Sequence, residues 1–148
     1  CDPDAACSWR RATERVTEAL VSLGLSPESF DYVNGSGLYR ATTVSPAGMT
    51  TLLTRMFKDP ARGPAFMGSL AVSGKPGTLQ RRLSDPRTRG KVKGKTGTLD
   101  EVVSLSGYVP CRRGQTLAFS VLVNRATPAR TAAIRRKIDR LVRLLAKL

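Results

Sequence analysis

The chain has no histidine among its 148 residues, which excludes a Ser-His-Asp triad built from this sequence. A serine mechanism assisted by lysine stays open. Aromatic residues make up only 5%, and no recognisable nucleic-acid module accompanies them, so the stacking platforms typical of single-strand binders are missing. No apolar run is long enough to span a bilayer. Acidic residues number 11 against 25 basic ones. There is no Cys-x-x-Cys pair to suggest zinc, and the composition implies no cofactor.

What is present is charge and enough apolar material for a core. A formal charge of +14 would draw the chain to a polyanion such as nucleic acid, anionic lipid or an acidic wall polymer. At 16.0 kDa and 41% hydrophobic residues it has the length of one ordinary domain. It begins with Cys1 and carries no apolar leader, which reads as a mature product or a piece of something larger. Cys1, Cys7 and Cys111 form an odd set. A Cys1–Cys7 bridge, fitting an oxidising compartment, and unpaired thiols are both open.

Trp9, Val16, Leu20 and Leu23 recur at helical spacing, and Gly24 is a natural stop, predicting a helix from about Ser8 to Leu23. Phe30 to Asn34 reads as a short extended piece before a Gly-Ser-Gly bend. Ser45 as N-cap, Pro46 at the first helical position and Val44 with Met49 as a staple open a second helix. Leu52, Leu53, Met56 and Phe57 are its expected buried face, and Asp59-Pro60 ends it. Phe66, Met67 and Leu70 suggest a helical turn before a breaker-rich loop, "AVSGKPGTLQRRLSDPRTRG", with little buried periodicity. Three strands follow, Lys91 to Leu99, Val102 to Val109 and Leu117 to Val123, as an antiparallel meander. Last comes an amphipathic helix with Ile134, Ile138, Leu141, Val142 and Leu145 on one face. Arg135, Arg136, Lys137, Arg140, Arg143 and Lys147 lie away from it.

The segment "GKVKGKTGTLDEV" holds the sharpest local signal. Gly94-Lys95-Thr96 imitates the end of a phosphate-binding P-loop, but the first glycine of that motif would fall on Arg89, and a β-branched run follows where a helix should begin. The other reading is an edge strand beside a cleft, with Lys95 supplying charge and Gly97 allowing close backbone approach. Lys-Thr-Gly is also a signature element of penicillin-binding proteins and serine β-lactamases.

Three blocks in register extend that signal: "VNGSGLYRATTVSP", "FMGSLAVSGKPGTLQRRL" and "GKVKGKTGTLDEVVSLSGYV". Together they resemble the class C low-molecular-mass penicillin-binding proteins, the D-alanyl-D-alanine carboxypeptidase/endopeptidase family. Asn34, Tyr39 and Thr42 depart from its usual Asp, Ser and Asn. Neither Ser-x-x-Lys nor Ser-x-Asn occurs in the chain. In the family both lie upstream of these blocks, so the resemblance implies the C-terminal part of one α/β (α+β) transpeptidase-fold domain spanning residues 1–148.

The resemblance also implies roles. Lys95 would place a cation near the substrate's terminal carboxylate, Thr96 a hydroxyl donor on the same group, and Gly97 room for the peptide. Thr98 would give a backbone N–H to the oxyanion hole, completing the catalytic set. Leu38, Arg40 and Leu99 would line the substrate. Arg40 reads equally as a carboxylate grip or a surface arginine, and Ser36 as a turn serine. Peptidoglycan peptides and β-lactams are the implied ligands, in a periplasmic or otherwise extracytoplasmic setting, with no nucleic acid. The alternative is a catalytically silent wall- or polyanion-binding module of the same fold.

Overall fold

The structure is a computed structural model and describes residues 8–112 and 114–148. The Cys1–Cys7 question lies outside the described residues. Helix α1 (Trp9–Ser22) begins where Ser8 Oγ accepts the Arg11 N–H, and it stops at Gly24, whose φ of 88° is a left-handed conformation that suits glycine. Strand β1 (Phe30–Asp31) pairs antiparallel with β2 (Thr43–Val44). The extended piece is thus shorter than the sequence suggests. Between these strands lies the Gly-Ser-Gly loop.

Helix α2 (Pro46–Lys58) carries the predicted cap, with Ser45 Oγ accepting from Gly48 N at 3.0 Å. Leu53 and Met56 are buried, but Phe57 is half exposed and leans on Tyr108 with ring centroids 5.6 Å apart. Asp59 ends α2 and then accepts from the N–H groups of Ala61 and Arg62, leading into α3 (Gly63–Ser69). Those hydrogen bonds, chiefly that of the Arg62 N–H, hold the Asp59 carboxyl below its ordinary range.

The meander is four-stranded rather than three-stranded. Its order is β3 (Ala71–Val72), β4 (Lys93–Leu99), β5 (Val102–Pro110) and β6 (Thr116–Asn124), all antiparallel. Strand β4 starts two residues later than the pattern predicts, because Lys91 and Val92 donate their N–H groups to Thr88 O and close a turn. Side chains alternate across the sheet. Val103, Leu105 and Val109 of β5 face α4 (Pro128–Leu145) and pack in one buried cluster with Phe119, Ile138 and Val142. Tyr108 points the other way, 2% exposed, and donates to Leu53 O of α2 at 2.7 Å. Each face of the sheet therefore has its own helix.

The segment between β3 and β4, read from the sequence as a breaker-rich loop with little buried periodicity, contributes to the core. Leu79 and Leu83 are fully buried in the cluster under α4, and Ser73 and Thr88 of the same segment are fully buried too. Ser73 Oγ donates to Thr88 O, and the Thr88 hydroxyl lies within hydrogen-bond reach of both Leu83 O, at 2.8 Å, and the Asp85 carboxylate, so the buried hydroxyls are satisfied. Arg82 reaches Asp139 of α4 through Nη2 and Nε, at 2.7 and 3.1 Å. Asp85 binds Arg143 Nε at 3.0 Å, correcting the expectation that Arg143 faces away. Leu141, assigned to the apolar face, is 43% exposed, and α1 buries none of its residues.

Candidate active site

The position of the Lys-Thr-Gly strand follows from hydrogen-bond phase. Val92 O accepts from Ser73 N at 3.0 Å and Val92 N donates to Ser73 Oγ at 3.3 Å, so both backbone groups of Val92 face the β3 side. Strand residues alternate the direction in which they offer N–H and C=O. Gly94, Thr96 and Thr98 thus offer theirs on that side, while Lys93, Lys95, Gly97 and Leu99 bond to β5. Strand β3 covers only Lys93 and Gly94. From Thr96 to Thr98 the outer edge of β4 has no strand beside it among the described residues.

Side chains sort along the same edge. Register pairs Lys95 with Ser106 and Gly97 with Ser104 on the α2 face, and Thr96 with Leu105 and Thr98 with Val103 on the α4 face. Lys95 is exposed and caps the open Thr96 carbonyl with Nζ at 2.7 Å. A Cβ on Gly97 would collide with Ser104 Oγ, so this position excludes a side chain without displacing Ser104. Thr98 Oγ1 donates to Gly97 O at 2.9 Å and accepts from Arg135 Nη2 of α4, also at 2.9 Å. A peptide could add to this edge as a further strand, its main chain bonding Thr96 and Thr98, with a lysine ammonium alongside.

Residues 2–148 match the family described as D-Ala-D-Ala carboxypeptidase 3 (S13). The chain belongs to that family. It is 36% identical over 124 residues to a D-alanyl-D-alanine carboxypeptidase of an Actinomadura species, covering 80% of this chain and 23% of the relative. It is 29% identical over 119 residues to the D-alanyl-D-alanine carboxypeptidase DacB of Haemophilus influenzae, covering 79% and 25%. Penicillin binding protein 4 of Haemophilus influenzae, solved in complex with a β-lactam, superposes with a TM-score of 0.84 at 26% identity, over 99% of this chain and 35% of that one. The chain thus spans about a quarter of the length of the curated relatives it matches.

Family membership and the strand's location agree with the sequence reading of the Lys-Thr-Gly element as a sheet edge. The chain does not wrap Gly94 to Thr96 around a helix N-terminus, which removes the P-loop reading. Arg40, in the Gly-Ser-Gly loop, pairs with Glu101 at 3.0 Å, just past the end of β4. That contact brings the loop to the same end of the sheet. Leu38 is 72% exposed on the loop, and Leu99 closes β4 opposite Val102.

Ser36 is the turn serine expected. It donates to Asn34 Oδ1 through both N and Oγ, at 3.0 and 2.7 Å, and its Oγ accepts from Leu38 N. Thr42 Oγ1 accepts from the N–H groups of Val33 and Asn34 and closes the loop's base. The departures Asn34 and Thr42 therefore build the loop. Sequence reasoning missed Arg135, Glu101 and Ser104. The only cue for Arg135 was its place on α4 beside Ile134 and Ile138; nothing local links it to Thr98, 37 positions earlier.

Proposed function

We propose that this chain forms the Lys-Thr-Gly wall of a serine-type D-Ala-D-Ala carboxypeptidase or endopeptidase, as the C-terminal portion of one penicillin-binding domain acting outside the cytoplasm. The observation that carries the reading is the open edge of β4, where the backbone of Thr96 and Thr98 and the Lys95 ammonium stand together. Family membership and the relatives' names support it. Among the described residues no helix is long and apolar enough to cross a membrane.

In this reading a serine upstream, activated by its own lysine, attacks the carbonyl of the terminal D-Ala-D-Ala bond. The terminal D-Ala leaves as the free amino acid, and water hydrolyses the acyl-enzyme. The peptidoglycan stem peptide, or a β-lactam, lies along β4. Lys95 supplies positive charge to the terminal carboxylate, and Thr96 supplies a hydroxyl donor. Thr98 N–H contributes one oxyanion donor, a type worth about 3 kcal/mol of transition-state stabilisation. Leu38 and Leu99 flank the peptide, and Arg40 can exchange Glu101 for a carboxylate on the stem.

Acylation by labelled penicillin in the intact enzyme tests the proposal. Lys95→Ala should slow acylation by about 100-fold, roughly 2.7 kcal/mol, with the fold intact, and Lys95→Arg should be milder because it keeps the charge on a bulkier, differently aimed fork. The charge of +14 favours a second reading, a silent module for an anionic wall polymer. That module would lose one of 25 basic residues in Lys95→Ala and weaken only slightly, with no acylation to lose.

A further inference from the structure

The chain's path places α4 against the end of β4. Strand β6 ends at Asn124 opposite Val102, which pairs with Leu99, so α4 starts at the Leu99 end of the sheet. Ala126 N, just before the helix, donates to Glu101 O at 2.9 Å and fixes that corner. Ile138 and Val142 anchor the helix in the core. Arg135, one position after the half-buried Ile134, then projects beside the sheet edge and reaches Thr98.

The cations around this edge differ in what they already hold. Arg40 is neutralised by Glu101. Lys95 Nζ is on the Thr96 carbonyl. Arg135 meets only the neutral hydroxyl of Thr98, through one of the five N–H donors of its guanidinium, and no carboxylate pairs with it among the described residues. The one acidic residue of α4, Asp139, is buried and bound to Arg82. Thr96 and Thr98 point their side chains to the α4 face of the strand, the face from which Arg135 approaches.

We infer that Arg135 is a specificity-determining residue: its guanidinium, held beside Thr98, binds the C-terminal carboxylate of a peptide laid along the edge of β4. A planar fork suits a carboxylate, and the contact with Thr98 Oγ1 restricts the fork before the peptide arrives. This assigns the preference for a free terminal acid to the helix face of the strand, in addition to Lys95 on the other face. It rests on the proposed peptidase reading.

The test compares two substrates in the intact enzyme, an acyl-D-Ala-D-Ala peptide with a free terminal acid and the same peptide as its terminal amide. Arg135→Ala should lower kcat/KM for the acid by about 30-fold, within the range for a hydrogen bond to a charged group, while leaving the amide unchanged. Arg135→Lys should recover part of the loss for the acid. Equal losses on both substrates would make Arg135 a structural residue and overturn the inference. So would an unchanged acid-to-amide ratio in Arg135→Ala. A wild-type enzyme that penicillin does not acylate would instead overturn the peptidase reading, and this inference with it.

Discussion

Two of the arginine–carboxylate pairs that tie loops to the rest of the fold share little beyond their chemistry. Arg82–Asp139 ties the segment between β3 and β4 to α4, with side chains only 15% and 11% exposed. Arg40–Glu101 ties the Gly-Ser-Gly loop to the turn after β4, with side chains 68% and 60% exposed. Burial decides what each pair is for. Removing one partner of the first leaves a charge stranded in a poorly solvated place, whereas either partner of the second can return to water. The first pair fixes the scaffold. The second leaves Arg40 able to change partners, which a residue proposed to grip a substrate requires.

The largest effect should come from breaking the buried pair. Asp139→Ala leaves Arg82 without its carboxylate and should cost about 3 kcal/mol of folding stability, read as a lower urea midpoint. A loss as small as that of a surface pair would mean that burial does not set the two pairs apart.

Asp85 sits between the two cases, its side chain 32% exposed. Burial works against its charge, but hydrogen bonds from Thr88, Arg143 and the Arg87 backbone outweigh that and hold its carboxyl below the ordinary 3.8. A carboxyl depressed in the folded state stabilises above its unfolded value, and this is lost as pH falls through the folded one. Stability should therefore decline below about pH 4, in the usual range for carboxylates, and Asp85→Asn should flatten part of that decline in a pH series of melting curves. An unchanged slope in Asp85→Asn would place the acid sensitivity elsewhere.

The smallest change belongs to the exposed pair. Arg40→Ala should shift folding stability by less than about 0.5 kcal/mol. If it instead costs as much as Asp139→Ala, the loop is scaffold and Arg40 is not free to bind substrate.

The same contrast explains what the sequence disclosed. The strands β5 and β6, the capped start of α2 and the amphipathic α4 were legible because each repeats a local pattern that burial on one face requires. The Lys-Thr-Gly strand was legible as the first run of the meander, two residues early at its start, whereas its role came only from the resemblance. The segment after β3 was not, because Leu79, Leu83, Ser73 and Thr88 are buried without a regular period and satisfied by contacts across a turn. Strand β3 is two residues long and gains its identity only from β4. Arg82–Asp139 and Arg135–Thr98 join positions 57 and 37 apart, and no local pattern encodes such pairs. Leu141 matched the helical period yet stays 43% exposed, outside the cluster that buries Ile138 and Val142.

The edge of β4 from Thr96 to Thr98 is the surface proposed to carry the substrate. A crystal structure of the intact enzyme acylated by penicillin tests it most directly. The acyl carbonyl oxygen should lie about 2.9 Å from Thr98 N, the spacing of an oxyanion donor, with the ligand carboxylate against Lys95 and Thr96. An acyl group whose oxygen takes other donors, with Thr98 N–H bonded to a neighbouring protein strand, would contradict it.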